Sequence, residues 1–205
     1  MKQHNYFFIP AALFLASCGI FLSLYPSKIE AQLALHHFWY TDNGAMLMEL
    51  ITQWGEAYVF LAVIALGIYN RRWLFSLSFA VTGILTSVVV SILKRLVFAP
   101  SPRPMAEIAV DQTLLTNIVD LPLALAFPSG HTTAAFALFT LLALQYSRPA
   151  IQATAAIAAI MVAISRVYLM VHWITDVMAG AVVGMSIAIL VYSFFKRVAA
   201  KKKAA

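Results

Sequence analysis

Three short stretches of the 205-residue chain combine residue types that can do chemistry. "SRVYLMVHWITD", Ser165 to Asp176, sets an arginine, a histidine and an aspartate in otherwise apolar chain. His172 and Asp176 are four apart, so on a helix they share one face. A carboxylate so placed can hold the imidazole N–H, fix the tautomer and raise the basicity of the other ring nitrogen. Such a pair can also merely cap a helix. Ionisable groups beside apolar spans are costly, however, and usually functional. "PSGH", Pro128 to His131, opens a long apolar run. Helix N-termini leave backbone N–H groups unpaired and carry partial positive charge, which suits an anion. Ser129 is a good N-cap, and Gly130 lets a ligand approach the backbone closely. A capped span whose proline only sets the entry angle would read the same way. The third stretch, "KRLVFAPSPRP", supplies Lys94, Arg95 and Arg103.

If the three stretches meet, Lys94, Arg103 and Arg166 bring fixed positive charge, and Ser129 with the backbone of Gly130 brings neutral donors. Arginine forks match phosphate oxygens. His131 and His172 then face the bound anion, with Asp176 behind one of them. That is a phosphate cradle with a nucleophile and an acid, and phosphoryl transfer rests mainly on positioning and charge stabilisation. Two histidines and an aspartate could instead hold a metal, but the surrounding Lys and Arg would repel a cation. No metal or other cofactor is expected. His36 and His37 are adjacent and point apart, which marks them as interfacial, and His4 belongs to the N-terminal tail. Cys18 is the single cysteine, so no internal disulfide or cysteine metal site forms. It follows "LAS" as in a lipoprotein processing site, yet reads more simply as a small residue inside the first apolar run.

The elements that must position these groups are membrane spans. The chain is 62% hydrophobic and 11% charged, against roughly 25% charged in soluble domains. Six apolar runs, about 6–25, 54–69, 73–93, 130–146, 149–166 and 173–194, approach the ~20 residues that cross a bilayer. The expectation is an all-α bundle of six transmembrane helices forming one domain over residues 1–205. With both termini cytoplasmic, Lys2, Arg71, Arg72, Arg148, Lys196, Arg197 and Lys201 to Lys203 face inward, outnumbering Lys28, Lys94, Arg95, Arg103 and Arg166 outside. All eight acidic residues then lie on or near the outer side, and so do the three chemical stretches. The basic tail "KRVAAKKK" reads as an anchor near anionic lipid rather than a nucleic-acid contact. The outer segments, about 26–53 and 94–129, are long, whereas the inner links are short. Long outer segments place the chemistry on the outer face. The apolar leucines of 104–127 (Leu114, Leu115, Leu121, Leu123) could form a lip over the site or lie on the membrane.

Taken together, the three stretches resemble the signature of the PAP2 superfamily, the type 2 phosphatidic acid phosphatases. That pattern is a lysine followed by Arg-Pro, then PSGH, then Ser-Arg, five residues, His, three residues and Asp. "PSGH" and "SRVYLMVHWITD" match it in every defined position. The first motif departs: eight residues separate Lys94 from Arg103, where six are usual, and Arg95 is a rival for the lysine's role. The resemblance implies a metal-independent phosphatase. His172 would attack phosphorus and form a phosphohistidine, and Asp176 would orient it. His131 would protonate the leaving oxygen, and Lys94, Arg103, Ser129, Gly130 and Arg166 would hold the phosphate oxygens.

A site at the outer leaflet edge of a bacterial inner membrane suits a lipid phosphate, whose tail stays in the bilayer. Undecaprenyl diphosphate is the favoured substrate, because so short a chain has little extra-membrane mass for reading an elaborate headgroup. Phosphatidylglycerophosphate, phosphatidate and lipid A phosphate are the alternatives. A phosphotransferase that hands the group to a second lipid would need the same site. Transport fits poorly: transporters place polar groups near the midplane and often repeat their halves.

Overall fold

The computed structural model describes residues 4–108 and 123–204. Among these the chain is helical, without strands: α1 (Asn5–Ser23), α2 (Lys28–Trp39), α3 (Asp42–Thr52), α4 (Ala57–Tyr69), α5 (Trp73–Ile92), α6 (Pro104–Glu107), α7 (Gly130–Gln145), α8 (Pro149–Tyr168) and α9 (Ile174–Ala204). The all-α expectation holds, and helix length and composition alone support four to five of the six spans. Four helical stretches, Asn5–Ser23, Trp73–Val97, Pro149–Tyr168 and Ile174–Lys201, are long and apolar enough to cross a membrane. A fifth arises if α3 and α4, bent by 50°, act as one. The run expected to cross at 130–146 is α7, whose 16 residues rise only about 24 Å against a core of about 30 Å. Its N-terminus starts at the polar site instead of reaching past it.

α7 is the centre of the bundle. Apolar residues cover its whole circumference, and it packs against α5, α8 and α9. Phe136, Leu138 and Leu141 are among its fully buried side chains. A helix hydrophobic all round needs such neighbours. Its contact with α9 is close because two glycines face it. A Cβ on Gly180 would stand 2.8 Å from the Ser129 carbonyl oxygen. One on Gly184 would overlap the Thr133 carbonyl oxygen and lie 2.9 Å from the Ala137 nitrogen. Small residues let membrane helices approach backbone to backbone, and here the approach sets the start of α7 against the first turn of α9. The Ser129 N–H donates to the Asp176 carbonyl at 3.0 Å. α8 presents alanines (Ala155, Ala156, Ala159, Ala163) to the same core.

The first outer segment, expected as a loop at 26–53, is two helices pinned over the end of α8. Ser27 and Thr41 cap them, each accepting a backbone N–H of its own first turn. The Thr41 N–H donates to the Tyr168 hydroxyl at 2.8 Å, and Gln32 Nε2 donates to the Val167 carbonyl at 3.0 Å. The second span, expected at 54–69, breaks at Gln53–Gly55, and the last helix runs past the expected end at 194 to Ala204. In the segment 104–127, Leu123 is exposed; Leu114, Leu115 and Leu121 lie outside the described residues.

Candidate active site

The three stretches converge where the ends of α5 and α8 meet the starts of α7 and α9. His172 lies in the short link between α8 and α9, held because its N–H and that of Val171 both donate to the Arg166 carbonyl at 3.2 Å. Its Nδ1 meets Asp176 Oδ2 at 3.3 Å, and the same oxygen accepts the Trp173 N–H at 3.0 Å. Both side chains are buried, His172 at 2% exposure. A carboxylate on Nδ1 leaves Nε2 as the free nitrogen. Burial holds the His172 imidazole well below its ordinary pKa, and nearby Arg166, Arg103, Lys94 and His131 add to that. The ring is therefore neutral, with a lone pair to give.

Ser129 is the N-cap of α7, its hydroxyl oxygen accepting the Thr132 N–H at 3.4 Å and the Thr132 hydroxyl at 2.9 Å. The expected capping role is thus present. Gly130 has no packing reason to be glycine, since a Cβ would meet only Val90 at 3.7 Å and Lys94 Cε at 4.0 Å. Lys94 therefore lies beside the opening of α7. It reaches there from a wide π-type turn, Leu93–Val97, that ends α5, and its ammonium donates to the Leu125 carbonyl at 2.6 Å. Arg95, on the same turn, is exposed. Of the two rivals, Lys94 is the one that joins the cluster. The turn also takes up part of the longer spacing to Arg103, because a π-turn holds an extra residue.

Arg103 is buried at 7% exposure between the chain before α7 and the chain before α9. Its guanidinium donates to the Val171 and Ala124 carbonyls at 3.4 Å. Trp173 braces the same strand of chain, donating from Nε1 to the Pro102 carbonyl at 2.9 Å. Burial pulls the Arg103 guanidinium down from its ordinary value, and the Asp176 carboxylate opposes it. Arg166 is buried at 5%; its Nη1 donates to the Thr52 hydroxyl at 2.8 Å, and its Nε has no partner among the described residues.

His131, the second residue of α7, meets Glu56 Oε1 through Nε2 at 2.6 Å. Glu56 and Thr52 were not singled out in the sequence. Glu56 stood there only as one of several outer acids. Its single signal was a lone carboxylate at the start of an apolar run, "WGEAYVF". A cavity of about 600 Å³ extends from Glu56, Gly130 and His131 between α4, α5 and α7, lined by Phe60, Phe79 and Thr86. Leu61 and Ile84 are exposed along it, so it opens on the apolar side of the bundle. A second apolar cavity of about 550 Å³, lined by Leu15, Phe127, Pro128 and Val182, flanks the chain just before Ser129. Every residue expected at the site is thus in the cluster. No group of three His, Cys, Asp or Glu among the described residues has metal-binding geometry.

A bundle of apolar helices that brings three cationic side chains and two histidine–carboxylate pairs together at one end suits a membrane phosphatase. A sequence model of the PAP2 superfamily matches residues 73–199, more than half of the chain, and the chain belongs to that superfamily of membrane phosphatases. The fold is similar to that of LpxE from Aquifex aeolicus, with a TM-score of 0.66 and 23% identity over 80% of this chain and 93% of that one. It is also similar to the first transmembrane PAP2 type phosphatidylglycerolphosphate phosphatase from Bacillus subtilis, with a TM-score of 0.68 and 22% identity over 97% of this chain and 98% of that one. No curated protein sequence matches the chain.

Proposed function

We propose that this protein hydrolyses a lipid phosphate or diphosphate through a phosphohistidine on His172. One observation carries this reading: Lys94, Arg103 and Arg166 stand close enough to act electrostatically on one another and on His172, and no carboxylate among the described residues lies within ion-pair distance of any of them. Their hydrogen bonds go to neutral oxygens, and desolvated charge that no counter-charge touches is costly; a phosphate group would supply that negative charge. His172 Nε2 attacks phosphorus. Asp176 keeps Nδ1 protonated and balances the charge that forms on the ring. The lipid oxygen leaves with a proton from His131. Water then attacks the phosphohistidine, giving up a proton to His131, and phosphate departs. Ser129 and the backbone at Gly130 add neutral donors to the three cations.

The cavity beside His131 supports a lipid rather than a soluble phosphate, because a tail can lie there while the headgroup enters the pocket. Undecaprenyl diphosphate remains the favoured substrate, since two phosphates bring the most negative charge to three cations. Phosphatidylglycerophosphate, phosphatidate and lipid A phosphate are the competing headgroups. The second cavity, on the other side of the chain entering Ser129, favours one further reading, a phosphotransferase whose acceptor lipid sits there. We place the site at the outer face of a bacterial inner membrane, with both termini cytoplasmic and the whole chain one domain, on the basis of the basic residues of the inner links and tail.

The test is phosphate release from a panel of these lipids by the purified protein in excess chelator, beside His172→Ala. The expected result is chelator-resistant hydrolysis, fastest on undecaprenyl diphosphate, and none in the variant. Activity lost to chelator would overturn the mechanism, and release from phosphatidylglycerophosphate alone would overturn the favoured substrate. Free phosphate that falls when lipid A is added would favour phosphotransfer.

A further inference from the structure

We propose that Glu56 is a positioning residue for the acid of the reaction: it holds His131 at Nε2, so that Nδ1 is the nitrogen that exchanges protons with the leaving oxygen and with water. The proposal rests on the function proposed above. Glu56 occupies the N-cap position of α4 with extended backbone, yet its side chain makes no cap hydrogen bond. Aspartate or asparagine there ordinarily turns back onto its own helix, whereas the longer glutamate side chain is free to reach another. This one crosses to α7 and meets His131 Nε2 at 2.6 Å, a distance typical of a charge-assisted bond.

The contact is built into the backbone. Gly55 lets the bend between α3 and α4 press on the start of α7, since a Cβ there would lie 2.8 Å from the His131 carbonyl oxygen and 3.0 Å from Val162. The same bend carries Thr52, which accepts from Arg166. One short segment, Thr52 to Glu56, thus reaches both the phosphate-holding arginine and the acid. Arg166 and Lys94 also act electrostatically on His131. An acid that must carry a proton beside two cations needs a nearby negative charge, and Glu56 is the carboxylate in contact with it.

The two histidines are then used in opposite senses. His172 gives Nδ1 to Asp176 and works through Nε2; His131 gives Nε2 to Glu56 and works through Nδ1. In the first step the P–O bond to the lipid breaks as the P–Nε2 bond to His172 forms, and the His131 Nδ1 proton goes to the leaving oxygen. In the second, Nδ1 takes a proton from the attacking water as the P–Nε2 bond breaks and phosphate leaves. The Nε2 proton stays on its bond to Glu56 throughout, and Glu56 remains a carboxylate.

Glu56→Gln in the full chain separates this role from a structural one through its leaving-group dependence. Phosphatidate expels an alkoxide, which needs a proton, whereas p-nitrophenyl phosphate expels a phenolate, which does not. General acid help is worth roughly 10²–10⁴-fold. The expected result is a fall of about 10²-fold in the rate of phosphoenzyme formation from phosphatidate, and little change in the rate of the p-nitrophenolate burst from p-nitrophenyl phosphate; the second step, common to both substrates, slows equally for each. In a His131→Ala background, Glu56→Gln should cost nothing more. Equal losses in that first step on both substrates, no loss on either, or full additivity with His131→Ala would overturn the proposal. A wild-type protein that hydrolyses neither substrate, or a His172→Ala variant that remains active, would instead refute the underlying phosphatase mechanism.

Discussion

Replacing Asp176 by asparagine separates two things a carboxylate can do for a histidine, fixing its tautomer and balancing its charge. Asp176 Oδ2 accepts two N–H groups at once, the Trp173 backbone at 3.0 Å and His172 Nδ1 at 3.3 Å. A backbone N–H only donates, so an asparagine must put its amide oxygen in that place. His172 Nδ1 then still meets an acceptor and stays protonated, and Nε2 stays bare. Only the charge is lost. At an effective dielectric of about 20 and a separation of roughly 4 Å, a full charge pair is worth about 4 kcal/mol. If roughly half the charge has formed on the ring at the transition state, the loss is about 2 kcal/mol, or about 30-fold in kcat. Asp176→Ala removes the acceptor as well and strands two buried donors at about 1–3 kcal/mol each, for a loss beyond about 10³-fold. Rapid-quench trapping of phosphoenzyme from a labelled lipid phosphate measures both variants. Equal losses would show that Trp173 does not fix the oxygen. A loss near the roughly 10⁴-fold that an inverted tautomer costs a serine-protease triad would refute the account outright.

Three further outcomes follow from the same geometry. Arg166→Lys keeps the charge but loses the fork and the bond to Thr52; at about 1.5–3 kcal/mol for a charged hydrogen bond, kcat/KM should fall about 10–10²-fold, and a value near wild type would show that Arg166 does not grip the phosphate. Burial and neighbouring cations hold the folded His172 pKa below its ordinary value of about 6.5, so the nucleophile should stay neutral as pH drops through that value. Phosphoenzyme formation should then show no loss assignable to His172 there. Unfolded His172 takes up its proton from about pH 6.5 downward, so this group removes stability as pH falls from that point, which thermal unfolding across pH measures. Gly184→Ala would set a methyl against the Thr133 carbonyl and the Ala137 nitrogen, backbone atoms that cannot step aside. A destabilisation of about 1–3 kcal/mol is expected, seen as a lower unfolding temperature in detergent, and an unchanged temperature would mean α7 and α9 are not held at this distance.

The chemistry was legible because it is carried by rare residue types close together in sequence. His172 lies just before α9 rather than on it, yet it still meets Asp176 in that helix's first turn, and Ser129 caps α7; both facts are local. The pairing of Lys94 with the cluster was less so, since the distance from Lys94 to Arg103 depends on a π-turn that no composition announces. Glu56 and Thr52 were invisible for a different reason. They reach the site from a bend between two helices, more than a hundred residues before His172, and nothing near them in sequence hints at a histidine or arginine partner. At α7 hydropathy and helix length part company, because hydropathy reports where apolar residues lie along the chain, and not whether they meet lipid or other helices. α7 is apolar all round because it is the core.

The difference in burial between the two histidine–carboxylate pairs favours the proposed division of roles. His172 and Asp176 have side chains exposed by only 2% and 3%, whereas those of His131 and Glu56 are exposed by 29% and 45%. A nucleophile gains from burial: its ring stays neutral and unsolvated, and water reaches phosphorus only after the lipid has left. An acid that later becomes a base has the opposite need, because it must meet the departing lipid oxygen and then the incoming water. His131 lines the cavity open to the apolar side of the bundle, where both can arrive. Exchanging the roles would put the proton shuttle where water cannot reach it and the nucleophile where water competes with the substrate. The proposed nucleophile accordingly sits in the link between α8 and α9, deep beside Asp176, while the proposed shuttle stands at the open end of α7 beside Glu56.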